Sequence, residues 1–261
     1  MNSFPNLPQP LGGTPLIAGL PGIGEVPDAG DLELSEKLVG FESKDPRSRS
    51  FNLLRTQLIK KLAESGGRLV GITSPAPHAG KSFVASNLAA SIGQLPNKRT
   101  FLIDLDLRRA TIARIFGLDV PEGITEFLIG DEIELRQIGR RIGESNLVVY
   151  PTLAAPVNSA ELMVSERLDD LVARARALGD DAIVIFDLPP VFANDDAILV
   201  AEKLDGVLLV IEQGVTTKKQ LQGAMQLIHP TPLLGTVFNR FTGGNGDPYG
   251  YGGKYDSYYN S

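Results

Sequence analysis

An apolar run, Arg68-Leu69-Val70-Gly71-Ile72-Thr73, is joined to a segment of helical periodicity by the loop Ser74-Pro75-Ala76-Pro77-His78-Ala79-Gly80-Lys81-Ser82. A buried strand that passes through Gly-Lys-Ser into a helix points backbone N–H groups of the loop and helix start at one spot, where they bind phosphate oxygens. Lys81 adds a positive charge near the terminal phosphates, and the Ser82 hydroxyl can ligate magnesium. Without its flanks the tripeptide would be an ordinary strand–helix turn. The loop is irregular: proline stands at 75 where a Walker A pattern has glycine, and Pro75 and Pro77 remove two amide donors.

The same alternation runs through the rest of the body. After Asp45-Pro46, Phe51, Leu54, Leu58, Ile59 and Leu62 recur at helical spacing, and Gly66-Gly67 is the expected stop. Further helices are expected over 82–92, 159–178, 195–203 and 217–228. Short apolar runs predict strands over 68–73, 100–103, 146–150, 181–186, 205–211 and 234–238. Strands apolar on both faces and joined by helices imply an α/β fold, with a mostly parallel sheet covered on both sides. Ligands of such sheets lie at the carboxyl ends of the strands, where Lys81, Asp104 and Asp187 fall.

Two carboxylate motifs follow the loop. Asp104 and Asp106 end the strand Thr100-Phe101-Leu102-Ile103 and, two residues apart, project to one side if strand geometry continues. Beside a triphosphate they orient magnesium and accept a proton from an attacking hydroxyl, while Arg108 offsets phosphate charge. Asp187 ends Ile183-Val184-Ile185-Phe186 in the Walker B manner, and Pro189-Pro190 turns the chain away.

Bulk properties narrow the classes. A net charge of −6 over 261 residues argues against a general nucleic-acid binder. The chain has no cysteine, so neither disulfides nor thiolate metal sites are available, in keeping with a reducing compartment. The longest apolar stretches, such as Gly206-Val207-Leu208-Leu209-Val210-Ile211, are far below the roughly 20 residues of a spanning helix. The N-terminus does not read as a secretory leader. Residues 1–30 hold six prolines and six glycines, so 1–44 is expected to be a flexible arm and 45–241 the folded domain.

Several stretches taken together resemble the bacterial tyrosine kinases (BY-kinases) of capsule and exopolysaccharide synthesis, relatives of the MinD/ParA ATPases, over about 45–261. They are Ile72-Thr73-Ser74, Pro77, Gly80-Lys81-Ser82, Asn87-Leu88-Ala89, Asp104-Leu105-Asp106-Leu107-Arg108, Gly123-Ile124, Asp187 with Pro189-Pro190, Asp196-Ala197, Asp205-Gly206-Val207, Thr216-Thr217-Lys218 and Asn239-Arg240. The resemblance implies a P-loop NTPase fold using ATP and Mg2+. It implies that Pro77, His78, Ala79, Gly80, Lys81, Ser82, Phe83 and Arg108 hold the nucleotide's phosphates, with Asn239 and Arg240 at the adenine. Ser82, Asp104 and Asp187 would serve the metal. Asp106 would be the base, within a catalytic set of Lys81, Asp104, Asp106 and Asp187.

The tail, 242–261, carries Tyr249, Tyr251, Tyr255, Tyr258 and Tyr259 among six glycines. Glycine keeps such a segment mobile, and in the family a cluster of this kind is autophosphorylated, which makes these tyrosines the expected phosphoacceptors. The resemblance implies a membrane polysaccharide co-polymerase whose cytoplasmic segment activates the kinase, a cytoplasmic position at the inner face of the membrane, and a homo-oligomer. It also allows a phosphotyrosine phosphatase as a partner. This sequence has His78 where the family's loop has glycine. It has Arg49, Asn52 and Arg55 where the oligomerisation helix has Glu-x-x-Arg-x-x-Arg, so a ring is not expected with the same force. Two other readings stay open: a catalytically weak ATP-binding regulatory module of the same system, and a ParA/MinD-like positioning ATPase. Against the second, Pro75 and Ala76 leave no early lysine in the loop.

Overall fold

The computed structural model describes residues 19–241 apart from 23, 24, 31 and 131. In chain order the helices are α1 (Ser48–Ser65), α2 (Lys81–Gly93), α3 (Thr111–Phe116), α4 (Ile124–Ile129), α5 (Leu135–Ile138), α6 (Ser159–Met163), α7 (Glu166–Arg176), α8 (Asp196–Ala201) and α9 (Lys218–Ile228). The strands are β1 (Leu69–Thr73), β2 (Arg99–Asp104), β3 (Arg140–Arg141), β4 (Leu147–Tyr150), β5 (Ala182–Asp187), β6 (Gly206–Glu212) and β7 (Leu233–Asn239).

The strands form one sheet in the order β3-β4-β2-β5-β1-β6-β7. All neighbours pair in parallel except the edge strand β3, which runs antiparallel to β4. Every residue of β1, β4 and β5 is buried, the pattern of strands covered on both faces. Two apolar clusters make the core. One places Phe101, Tyr150, Leu171 and Phe186 on one face of the sheet, and the other places Leu58, Leu88, Leu102 and Phe116 on the opposite face. The expected α/β fold with a mostly parallel sheet is the observed one.

Local chemistry accounts for the helix ends. α1 stops where the Gly66 N–H returns to the Leu62 carbonyl, and α9 begins at a capping box in which Thr217 and Gln220 satisfy each other's backbone. The helix expected over 159–178 is two helices. Ser165 accepts a hydrogen bond from the Leu168 N–H at 3.2 Å and so caps α7, ending one helix and starting the next. The edge strand β3 and the helices α3, α4 and α5 were not anticipated. Each is two to six residues long, too short for periodicity to register.

The expectation of a flexible arm over 1–44 does not hold for its described part. Leu20, Val26, Leu38, Val39 and Phe41 are buried. The Ala29 N–H donates to the Arg141 carbonyl at 2.9 Å, and the Arg141 N–H donates to the Pro27 carbonyl at 2.9 Å, so this stretch continues the sheet beyond β3. Proline and glycine exclude a helix here, but an extended edge segment tolerates both. The tail with Tyr249, Tyr251, Tyr255, Tyr258 and Tyr259 lies outside the described residues. No helix among the described residues is long and apolar enough to cross a membrane.

Candidate nucleotide-binding site

Strand order decides what meets at the carboxyl end of the sheet. β2, β5 and β1 are neighbours, and Asp104 pairs directly with Asp187 across β2 and β5, while Ile72 of β1 pairs with Asp187. β1 then runs through the loop 74–80 into α2. The loop is tied to the turn after β5: the Val191 N–H donates to the Ser74 carbonyl at 2.9 Å and the Thr73 hydroxyl donates to the Pro189 carbonyl at 2.5 Å. These bonds tie the phosphate loop to the Walker B turn.

Gly80 opens α2 with φ +91, and a Cβ there would stand 2.2 Å from Asn239 Nδ2. Only glycine meets both conditions. Asn239 itself donates to the Ala79 carbonyl at 2.8 Å, so a residue read from the sequence as an adenine contact braces the loop. His78 sits at φ +69, a left-handed angle that costs a side chain roughly 1–2 kcal/mol. Arg109 comes to meet it, with its terminal nitrogens 3.4 and 3.5 Å from the two ring nitrogens.

Lys81 lies inside the site. Its Nζ is 2.6 Å from Asp106 Oδ2 and 3.5 Å from Asp187 Oδ1, and it donates to Ser82 Oγ at 3.2 Å. Burial opposes the charge on Lys81, but Asp187 and Asp106 outweigh it and raise the pKa. Asp104 is wholly buried, and its oxygens accept the N–H groups of Asp106 at 3.1 Å and Ile112 at 3.3 Å. Burial first, and then the Asp187 charge, push its carboxyl well above the usual range. Asp187 is raised too, chiefly by burial, with the Lys81 charge recovering only part.

Three buried carboxylates thus share one ammonium. Both Asp187 oxygens are buried without a well-formed hydrogen bond, and the donors beside them are the Ser82 hydroxyl and the Lys81 ammonium, 3.5 Å from Oδ1. Ser82 and Asp187 fit the protein side of a magnesium site, in which one or two carboxylates are completed by phosphate and water. Among the described residues no three His, Cys, Asp or Glu side chains converge into a metal cage, so the protein alone does not complete one.

Above this centre opens a cleft of about 510 Å³, lined by Pro77, His78, Gly80, Lys81, Ser82, Phe83 and Arg240 from the expected set. Ala79 is buried beneath the loop, and the Phe83 ring packs edge-on against Phe51 at 5.5 Å between centroids. Arg240 is held by Glu212 at 2.5 Å. Arg108 does not line the cleft; Arg109, which precedes a left-handed Ala110, does. Lys37, Ser35, Thr111 and Arg114 also line it and were not foreseen. Arg109 and Arg114 flank the paired-aspartate motif and could have been weighed from the sequence. Lys37 could not, since nothing local ties it to residues forty or more positions away.

No protein-family model matches the chain. EpsB of Ralstonia nicotianae is 35% identical over 220 residues, covering 82% of this chain and 28% of that protein, so the chain spans little more than a quarter of that relative's length. The tyrosine-protein kinase YwqD of Bacillus subtilis is 33% identical over 219 residues, covering 83% of this chain and 91% of the relative. Among solved structures, the kinase domain of the Escherichia coli tyrosine kinase ETK superposes with a TM-score of 0.72 at 27% identity, covering 84% of this chain and 91% of that one. MinD from Pyrococcus horikoshii, at a TM-score of 0.57 and 20% identity over 67% of this chain and 71% of that one, shares the fold.

Proposed function

Because the chain belongs to the bacterial tyrosine-protein kinases, we propose that it is an ATP-dependent tyrosine autokinase of capsule or exopolysaccharide production whose acceptors are the tyrosines of its own tail. The observation that carries this reading is Lys81, buried between Asp106 and Asp187 under a cleft lined with cations. The N–H groups at the start of α2, through Ser82 and Phe83, receive phosphate oxygens. Lys81 exchanges a carboxylate for the terminal phosphates, which frees Asp106. Asp106 then takes the phenol proton as the tyrosine oxygen bonds to the terminal phosphorus and the bond to the ADP oxygen breaks. Asp104 fixes the turn that presents Asp106. Magnesium, held by Ser82 and Asp187, would supply charge neutralisation along the phosphates.

The activating partner we propose is the cytoplasmic segment of a membrane polysaccharide co-polymerase, which would hold the kinase at the inner face of the membrane. Phosphorylation passes between copies in a homo-oligomer, and a phosphotyrosine phosphatase reverses it. A ring built through α1 draws no support from Asn52 and Arg55. Ser91 of α2 donates to Asn52 Oδ1 at 2.8 Å, and Arg55 donates to the Ser91 carbonyl at 2.8 Å, so both side chains face inward.

The weakly catalytic regulatory module keeps one specific observation in its favour, the strained His78 and its Arg109 partner in the loop. One experiment separates the readings. The chain is incubated with ATP and Mg2+, with and without the co-polymerase segment, and modified residues are mapped by mass spectrometry. Phosphotyrosine among Tyr249, Tyr251, Tyr255, Tyr258 and Tyr259 supports the kinase. Nucleotide binding with no tail modification under either condition leaves the regulatory module.

A further inference from the structure

The segment 32–41, ahead of α1, runs along the cleft as a strap, with Ser35 and Lys37 in the lining. Asn87, on α2 and fully buried, clamps it. Its Oδ1 accepts the N–H groups of Val39 at 2.7 Å and Gly40 at 2.9 Å, and its Nδ2 donates to the carbonyls of Lys37 at 3.1 Å and Phe83 at 2.9 Å. Gly40 is pressed so close that a Cβ would stand 2.2 Å from the Asn87 carbonyl oxygen. On the other side the Ser35 N–H donates to the Ile115 carbonyl at 3.0 Å. Leu38 and Phe41 anchor the strap in the core, and the Phe41 ring meets Phe116 edge-on at 6.5 Å.

The strap therefore has a fixed course, and it brings Lys37 into the wall of the cleft. The lining there contains Lys37, Lys81, Arg109, Arg114 and Arg240 and no carboxylate. Lys81 and Arg240 already have acidic partners. Lys37, Arg109 and Arg114 form no ion pair among the described residues, so their charge is open to a bound anion.

We propose that Lys37 is a nucleotide-binding residue, contacting the polyphosphate from the strap side, and that Asn87 is the positioning residue that delivers it. The inference rests on the nucleotide-binding reading given above. It makes the strap a wall of the site and gives a local reason for an asparagine wholly buried on the phosphate-loop helix.

The test is equilibrium binding of a fluorescent ATP analogue with Mg2+ to the full chain and its variants. Lys37→Met should raise Kd about fivefold, and the salt dependence of Kd should become shallower. Lys37→Arg should stay near wild type, and Lys60→Met, an exposed lysine on α1, should change nothing. Asn87→Ala should weaken binding by a similar factor, and adding Lys37→Met to it should weaken binding no further. That shared loss is something a purely structural asparagine would not produce. If Asn87→Ala fails to fold, Lys37→Met on the surface still decides the matter. Unchanged affinity and salt dependence in Lys37→Met would overturn the inference while leaving the kinase reading intact. A wild-type chain that does not bind the analogue would overturn both.

Discussion

Lys81 Nζ lies 2.6 Å from Asp106 Oδ2 with both side chains nearly excluded from solvent. The two groups proposed for opposite halves of the chemistry, the phosphate anchor and the proton acceptor, are paired with each other. The pair keeps a buried ammonium charged and at the same time occupies the base. Nucleotide phosphates are the competitor that can separate them.

Removing the ammonium leaves Asp106, Asp187 and Asp104 buried together without a cation. Breaking a buried ion pair from one side costs about 3–5 kcal/mol. Lys81→Met should therefore lose stability on that scale in urea unfolding and lose nucleotide binding. Adding Asp106→Asn should return part of the stability and none of the binding. A Lys81→Met chain as stable as wild type would show that the carboxylates are already neutral.

Asp104 sets a pH dependence of definite sign. Its folded-state pKa is raised well above the free carboxylate value of 3.8, so the folded state holds the proton more tightly than the unfolded state. Such a group destabilises the fold at neutral pH, and the penalty fades as pH falls through the raised pKa towards 3.8. Asp104→Asn should accordingly be more stable than wild type at neutral pH, with the difference shrinking on acidification. Urea midpoints at a series of pH values measure it, and a difference that grows on acidification would refute the assignment.

Gly80→Ala meets two obstacles, the left-handed φ of +91 and the contact with Asn239. The backbone angle alone costs roughly 1–2 kcal/mol. A lower melting temperature and weaker nucleotide binding are expected. Asn239→Ala added to Gly80→Ala should relieve the steric part and leave the torsional part.

Arg109 lines the cleft and Arg108 does not. An exposed cation facing phosphate contributes on the order of 1 kcal/mol at low salt. Arg109→Ala should weaken binding of a fluorescent ATP analogue about fivefold, and Arg108→Ala less than about twofold. The reverse order would return the role to Arg108.

Much of this architecture was legible in the chain. Most of the six strands were readable as short apolar runs, the pattern of a sheet covered on both faces, while the edge strand β7 is only partly covered. The phosphate loop was readable because Gly80, Lys81 and Ser82 act through their own backbone and immediate neighbours. The break at Ser165 was missed because a hydroxyl capping the next helix competes with an amphipathic pattern that runs on unbroken through 159–178. The packed course of the described residues between 19 and 44 was missed because proline and glycine report what a segment cannot form, and are silent on what it can lie against.

The sequence by itself determined the parallel sheet, the phosphate loop and the placing of Lys81, Asp104 and Asp187 at the carboxyl end of the sheet, since periodicity and local backbone chemistry are properties of neighbours along the chain. Tertiary structure alone decided the pairing of Lys81 with Asp106, the brace from Asn239 to Ala79, the choice of Arg109 over Arg108 and the arrival of Lys37 on a strap held by Asn87. Each of those joins residues that the order of strands and one buried side chain bring together across the fold, and no spacing in the sequence encodes such a distance.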